Sequence, residues 1–222
     1  MATRDTTLYK YVPLKCVTSI LDNHRLYLSD GSNFNDPFET TVTDKKSGAI
    51  THVSGLHILC LSNSIQNKLI WSHYADSHKG VCLTVNVPAD LVYPMCYTTK
   101  RVYTDSDLDG ILKNGHYHCK KNLKKPFDPL NYNKKIAFIK DRKWSYEREY
   151  RIVFDKNDES GLVYEDDKWF MSVKIKNVYL GVNFDKNDIS VREKIIDACK
   201  RNKVKISQMV LSVSDYSVKV GR

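Results

Sequence analysis

Residues 8–28 read LYKYVPLKCVTSILDNHRLYL, and the organisation of the chain follows from them. Leu8-Tyr9-Lys10-Tyr11 is an extended piece. From Pro13 to Asn23, Leu14, Val17, Ile20 and Leu21 fall at helical spacing, and Pro13 suits a first helical turn. Leu26-Tyr27-Leu28 is extended again. The opening is therefore strand–helix–strand. The next stretch, SDGSNFNDPFE (29–39), is dense in turn formers. There Asn35 or Asp36 can hydrogen-bond its own backbone ahead of Pro37, which makes it a structured loop.

Further along, His57 to Leu61 reads as a buried strand. Asn67 to Ser77 fits a helix with Ile70, Trp71 and Tyr74 on one side, and Gly80 can end it. Val81, Leu83, Val85 and Val87 alternate as a strand does. Residues from about 88 to 133 are irregular, with the turn clusters TDSDLDG and KNG, and read as a basic insertion or flap. Order returns with a short helix near 134–140 and a strand at Tyr150–Phe154. More strands are predicted at 168–175, 178–180, 206–213 and 217–220. A helix over Ile189–Arg201 has Asp188 as N-cap, with Lys200 and Arg201 matching its C-terminal dipole. Strands and helices are interspersed without a regular βαβ rhythm. That predicts an α+β fold, one domain over 1–222, with a central mixed, mostly antiparallel split sheet flanked by short helices.

Composition agrees with a folded chain. Its 222 residues, 41% hydrophobic and 27% charged, can bury a core without disulfide or metal staples. The six cysteines show no framework or zinc spacing, and Cys60 and Cys82 lie in apolar runs, so reduced core thiols of a cytoplasmic protein are expected. The N-terminal MATRDTTLYKY lacks a signal-peptide core, and no stretch approaches the roughly 20 apolar residues of a membrane span. Tyrosine is abundant, 14 against 7 phenylalanines.

Net charge is +9, which favours acidic partners such as nucleic acid. Between 113 and 143 ten basic residues face only Asp128 and Asp141, with His116, Tyr117, His118, Phe127 and Tyr132 interleaved. This is the composition of a phosphate-tracking, base-stacking surface, with Lys120, Lys121, Lys124, Lys125, Lys134 and Lys135 as its candidates. A solvated basic face reads the same way. In WSHYADSHKG, helical steps of three and four would align Trp71, Tyr74 and His78 as a polar–aromatic face or as a buried aromatic group. The spacing of His73 and His78 does not favour a metal, and none is expected. Asn35, Asp36 and Glu39 form a polar cluster that either locks its loop or lines a pocket. Glu147 and Glu149 lie two apart, so an extended backbone would project both to one face. They read either as a working carboxylate pair or as surface partners of Arg148 and Arg151. P-loop, Rossmann, G-x-S-x-G and H-E-x-x-H signatures are all absent.

Four pieces in order, LYKYVPL…ILDNHRLYLSDGSNFNDPFE, CLSNSIQNKLIWSHYADSHKGVCL, KWSYEREYRIVF and VYLGVNF, resemble the bacterial family catalogued as domain of unknown function 2971. That name carries no activity. More remotely, the strand–helix–strand opening and the element Glu147-Arg148-Glu149 heading a strand are similar to ADP-ribosyltransferase toxins. This resemblance implies an enzyme that uses NAD, a toxin or phage-defence effector acting on nucleic acid or protein. By it, Glu149 holds the nicotinamide ribose and stabilises the oxocarbenium-like cation, while Glu147 accepts the proton of the incoming nucleophile. Tyr9, Lys10 and Tyr11 on the first strand, Asn35 and Asp36, and Trp71, Tyr74 and His78 would line the NAD cleft. Lys10 stands where such transferases place histidine or arginine, and lysine lacks the planar guanidinium fork. Two other readings stay open: a non-catalytic nucleic-acid-binding module using the 113–143 lysines, and a metal-dependent nuclease.

Overall fold

A computed structural model describes residues 4–32, 34–102, 104–117 and 130–221. In chain order its elements are β1 (Asp5–Val12), α1 (Leu14–Asn23), β2 (Arg25–Leu28), β3 (Thr41–Thr43), β4 (Ile50–His52), β5 (Leu56–Ser62), α2 (Lys68–Tyr74), β6 (Val81–Pro88), β7 (Tyr93–Pro94), β8 (Cys96–Thr98), α3 (Asp105–Asn114), α4 (Tyr132–Ile136), β9 (Ile139–Asp141), β10 (Glu149–Asp155), β11 (Val163–Glu165), β12 (Lys168–Ser172), β13 (Lys174–Leu180), α5 (Ile189–Arg201), β14 (Lys205–Leu211) and β15 (Val218–Val220). The fold is α+β. Two compact units interleave along the chain. Unit 1 takes 1–26, 61–90 and 172–222, and unit 2 takes 27–60 and 91–171.

Unit 1 is a mixed sheet in the order β15-β14-β13-β6-β1, followed by the end of β5, where Ser62 pairs with Tyr9. β1 and β6 run antiparallel in unbroken register from Asp5–Pro88 to Val12–Val81. β13 is antiparallel to β6 and parallel to β14. Val81 to Val85 are all buried, so β6 is covered on both faces and is not a one-faced amphipathic strand. α1 forms as its spacing predicts: Val17 and Leu21, four apart, are fully buried. The first N–H of the helix, at Leu14, is taken by Asp76 Oδ2 at 2.9 Å. At its other end Asp22 accepts from Arg201 and Asn202 at the end of α5.

Unit 2 carries β5-β10-β7, the β3–β4 and β11–β12 hairpins, and the parallel pair β8–β9. Its core gathers Leu56, Ile58, Met95, Tyr97, Leu108, Ile136, Phe138 and Val153. The span read as an irregular insertion thus contains β7, β8 and α3, with Met95, Cys96 and Tyr97 fully buried; residues 118–129 lie outside the described residues. β7 and β8 have only two and three residues, too few for a period to register, and α3, DSDLDGILKN, is hidden by the turn formers that open it. The helix expected near 134–140 ends at Ile136 and gives way to β9. Among the described residues no helix is long and apolar enough to cross a membrane.

Candidate functional site

β10 has no exposed residue, and Glu149 and Arg151, two apart, share one of its faces. Arg151 Nε donates to Glu149 Oε1 at 2.6 Å and Nη2 to Oε2 at 3.2 Å, a forked pair. The remaining donors reach the Ala137 carbonyl at 2.7 Å and Glu39 Oε2. Lys140, from β9, places its Nζ 2.9 Å from Glu39, 2.5 Å from Glu147 and 3.0 Å from Glu149. Trp144 lies beneath the ammonium at 5.1 Å and Phe34 beneath the guanidinium at 4.8 Å. The Glu149 N–H donates to Tyr97 Oη at 2.9 Å. All five charged side chains are buried, and three carboxylates face two cations.

Electrostatics decide the state of this group. Burial alone pushes Glu149 up, but the charges of Arg151 and Lys140, with hydrogen bonds from Arg151 and the Cys60 thiol, hold it well below the usual carboxylate range. Burial opposes the charge of Lys140 as well. Glu149, Glu39 and Glu147 overcome it and raise the ammonium well above the ordinary lysine value. Burial, with Glu149 adding to it, raises the Tyr97 phenol, which stays neutral. The result is an ionised carboxylate in a water-poor setting, with Oε1 on Arg151 and Oε2 shared by Arg151 and Lys140.

Glu147 and Glu149 converge, though not by strand alternation. Glu147 ends a 3₁₀ turn over Arg142–Glu147, and Arg148 is left-handed at φ 48°. β10 begins only at Glu149, so no extended backbone carries both carboxylates. They meet because Lys140 bonds both. In the FNDPFE loop, Asp36 Oδ1 accepts from the Phe38 N–H at 2.9 Å, the expected turn lock, and Asn35 is exposed. Glu39 reaches the charge cluster instead.

The other expected cofactor residues lie in unit 1. Tyr11 packs edge-on against Trp71 at 5.1 Å, and Trp71 stacks on His78 at 6.3 Å. Tyr11 Oη and Trp71 Nε1 donate to the Ser64 and Ile65 carbonyls, at 2.7 and 2.8 Å. Tyr9, half-buried, meets Tyr179 edge-on, Lys10 is half-buried, and Tyr74 turns towards His73. The helical face expected of Trp71, Tyr74 and His78 does not form. α2 stops at Tyr74, and Asp76, Ser77 and His78 are all left-handed, so His78 comes back to Trp71 through a turn. Asn183 anchors that turn through the Ser77 and His78 carbonyls. A Cβ on Gly181 would lie 2.1 Å from the His78 carbonyl oxygen, so that position needs glycine.

Of the basic candidates, Lys120, Lys121, Lys124 and Lys125 lie outside the described residues. Lys134 pairs with Asp158, and Lys135 with Asp109 at 3.1 Å; both are largely buried, so their charge is met within unit 2. A separate cavity of about 260 Å³, lined by Lys100, Ser106, Asp107 and Asn114 among others, involves none of the expected site residues. Sequence reading missed Lys140, Arg151 and Tyr97 as site members. Arg151 had a legible signal, its two-residue step from Glu149, whereas Lys140 was hidden in the basic run.

Residues 70–152 match the family model described as Protein of unknown function (DUF2971). That span holds Trp71, His78, Lys140, Trp144, Glu147, Glu149 and Arg151, while Glu39 lies outside it. No curated protein matches the chain. Among solved structures, Thermus sp. 2.9 DarT in complex with NAD+ aligns at 10% identity over 91% of this chain and 94% of that one, with a TM-score of 0.41. At that identity and TM-score the likeness says nothing about chemistry.

Proposed function

We propose that the chain is an ADP-ribosyltransferase-like enzyme that uses NAD and acts on a nucleic acid or protein acceptor. The observation that carries this reading is Glu149, buried at the head of β10 and kept ionised by Arg151 and Lys140. In the reaction the bond between the ribose anomeric carbon and the nicotinamide nitrogen breaks, its electron pair leaves with nicotinamide, and positive charge develops on the ribose. A fixed, desolvated carboxylate stabilises that charge more in the transition state than in the ground state. Glu147, held on the same Lys140, is the base that takes the proton of the attacking acceptor.

The test is nicotinamide release from NAD, followed by chromatography with nucleic-acid and protein acceptors present. Glu149→Gln is expected to lower the rate by about 10²–10³-fold with the circular dichroism spectrum unchanged. Full activity in that variant, or no release by the wild type with any acceptor, overturns the reading.

A further inference from the structure

We infer that one face of the β11–β12 hairpin is a recognition surface for an arginine- or lysine-rich segment of a partner protein. This goes beyond the proposed reaction and does not depend on it. Tyr164 on β11 sits directly opposite Trp169 on β12, so strand alternation puts both rings on one face. Their centroids are 4.8 Å apart, and Trp169 continues to His57 at 5.0 Å. The row ends in the open: Tyr164 is 58% exposed.

Carboxylates flank the rings. Tyr164 Oη donates to Asp167 Oδ1 at 2.9 Å, and Glu159 lies 2.8 Å from the far ring nitrogen of His57. A phenol that donates to a carboxylate has a more electron-rich ring, a better seat for a cation. The hydrogen bond and the Asp167 charge also raise the Tyr164 phenol, which keeps its proton. Asp166 and Asp167, left-handed at φ 48° and 56°, form the two-residue connection that aims Asp167 back at Tyr164.

Charge chooses the occupant. By the same alternation Glu165 and Lys168, opposite each other, belong to the other face, so the exposed Asp166 and Asp167 of the turn are the charges beside Tyr164, in a chain that is +9 as a whole. A base stacking on Tyr164 would bring its phosphates against these acids. A guanidinium or ammonium gains the ring face and a carboxylate together.

The experiment is calorimetric titration of the full chain with hexa-arginine, hexa-lysine and a short single-stranded oligonucleotide. It is repeated on Tyr164→Ala, Tyr164→Phe and Asp167→Asn. Hexa-arginine is expected to bind, with affinity falling roughly tenfold in Tyr164→Ala, severalfold in Asp167→Asn and about twofold or less in Tyr164→Phe. Because Tyr164 is mostly exposed, these variants keep their fold, which circular dichroism checks. Equal affinity of wild type and Tyr164→Ala, no peptide binding, or oligonucleotide binding that Tyr164→Ala abolishes would each overturn the inference.

Discussion

A guanidinium that is 1% exposed must find partners for its N–H groups, and Arg151 finds them in Glu149, Glu39 and the Ala137 carbonyl. Removing it leaves three buried carboxylates, Glu39, Glu147 and Glu149, to share the single ammonium of Lys140. Arg151→Met is therefore expected to cost about 3–5 kcal/mol by equilibrium urea unfolding. Arg151→Lys falls between wild type and Arg151→Met, since an ammonium keeps the charge but not the fork. Glu149 gives a pH signature. Its carboxyl titrates lower in the folded chain than the roughly 4.3 of an unfolded glutamate, so its contribution is complete above that pH. The contribution is lost as pH falls through the folded value. The stability gap between wild type and Glu149→Gln should hold near pH 7 and narrow steadily below about pH 4. These roles were half legible. The Glu149–Arg151 step is written in the strand period, whereas Lys140 and Glu39, 9 and 110 residues before Glu149, join it only by chain return.

Elements whose periods run long enough appear in the structure where the sequence predicts them. α1 and β6 agree to within a residue and α5 agrees at both ends, because a buried helical stripe, or a strand covered on both faces, leaves a mark in the order of apolar residues. The turn after α2 left no such mark. Asp76, Ser77 and His78 favour no left-handed run by themselves, and each such residue costs about 1–2 kcal/mol. The run persists because Asn183 holds its carbonyls, Asp76 holds the first N–H of α1 and Gly181 leaves room. Burial lowers the His78 pKa, so the unfolded chain takes up a proton at higher pH than the folded one does. Stability is then full above about pH 6.5 and declines as pH drops below it. His78→Asn, which tolerates the left-handed backbone, should flatten that decline in thermal scans between about pH 7 and 5.

At the scale of the whole molecule, net charge suggests nucleic acid without locating it. Lys134 and Lys135 sit inside ion pairs, so their replacement by glutamine should lower stability and leave the salt dependence of nucleic-acid binding unchanged. If a nucleic acid is the acceptor, glutamine at Lys120, Lys121, Lys124 and Lys125 should reduce the slope of log affinity against log salt by about 3, measured by fluorescence anisotropy. The sequence by itself determined the α+β class, the strand–helix–strand opening, the buried apolar strands and the excess of positive charge. These follow from the order and kind of residues over a few turns or strand steps. Only the tertiary structure decided that Glu39, Lys140, Glu147, Glu149 and Arg151 form one buried group, that His78 returns to Trp71 through a left-handed turn, and that two basic candidates are already neutralised. Such outcomes depend on which distant charges share a dry interior, where an unpaired ion is too costly to leave, and no local period encodes that.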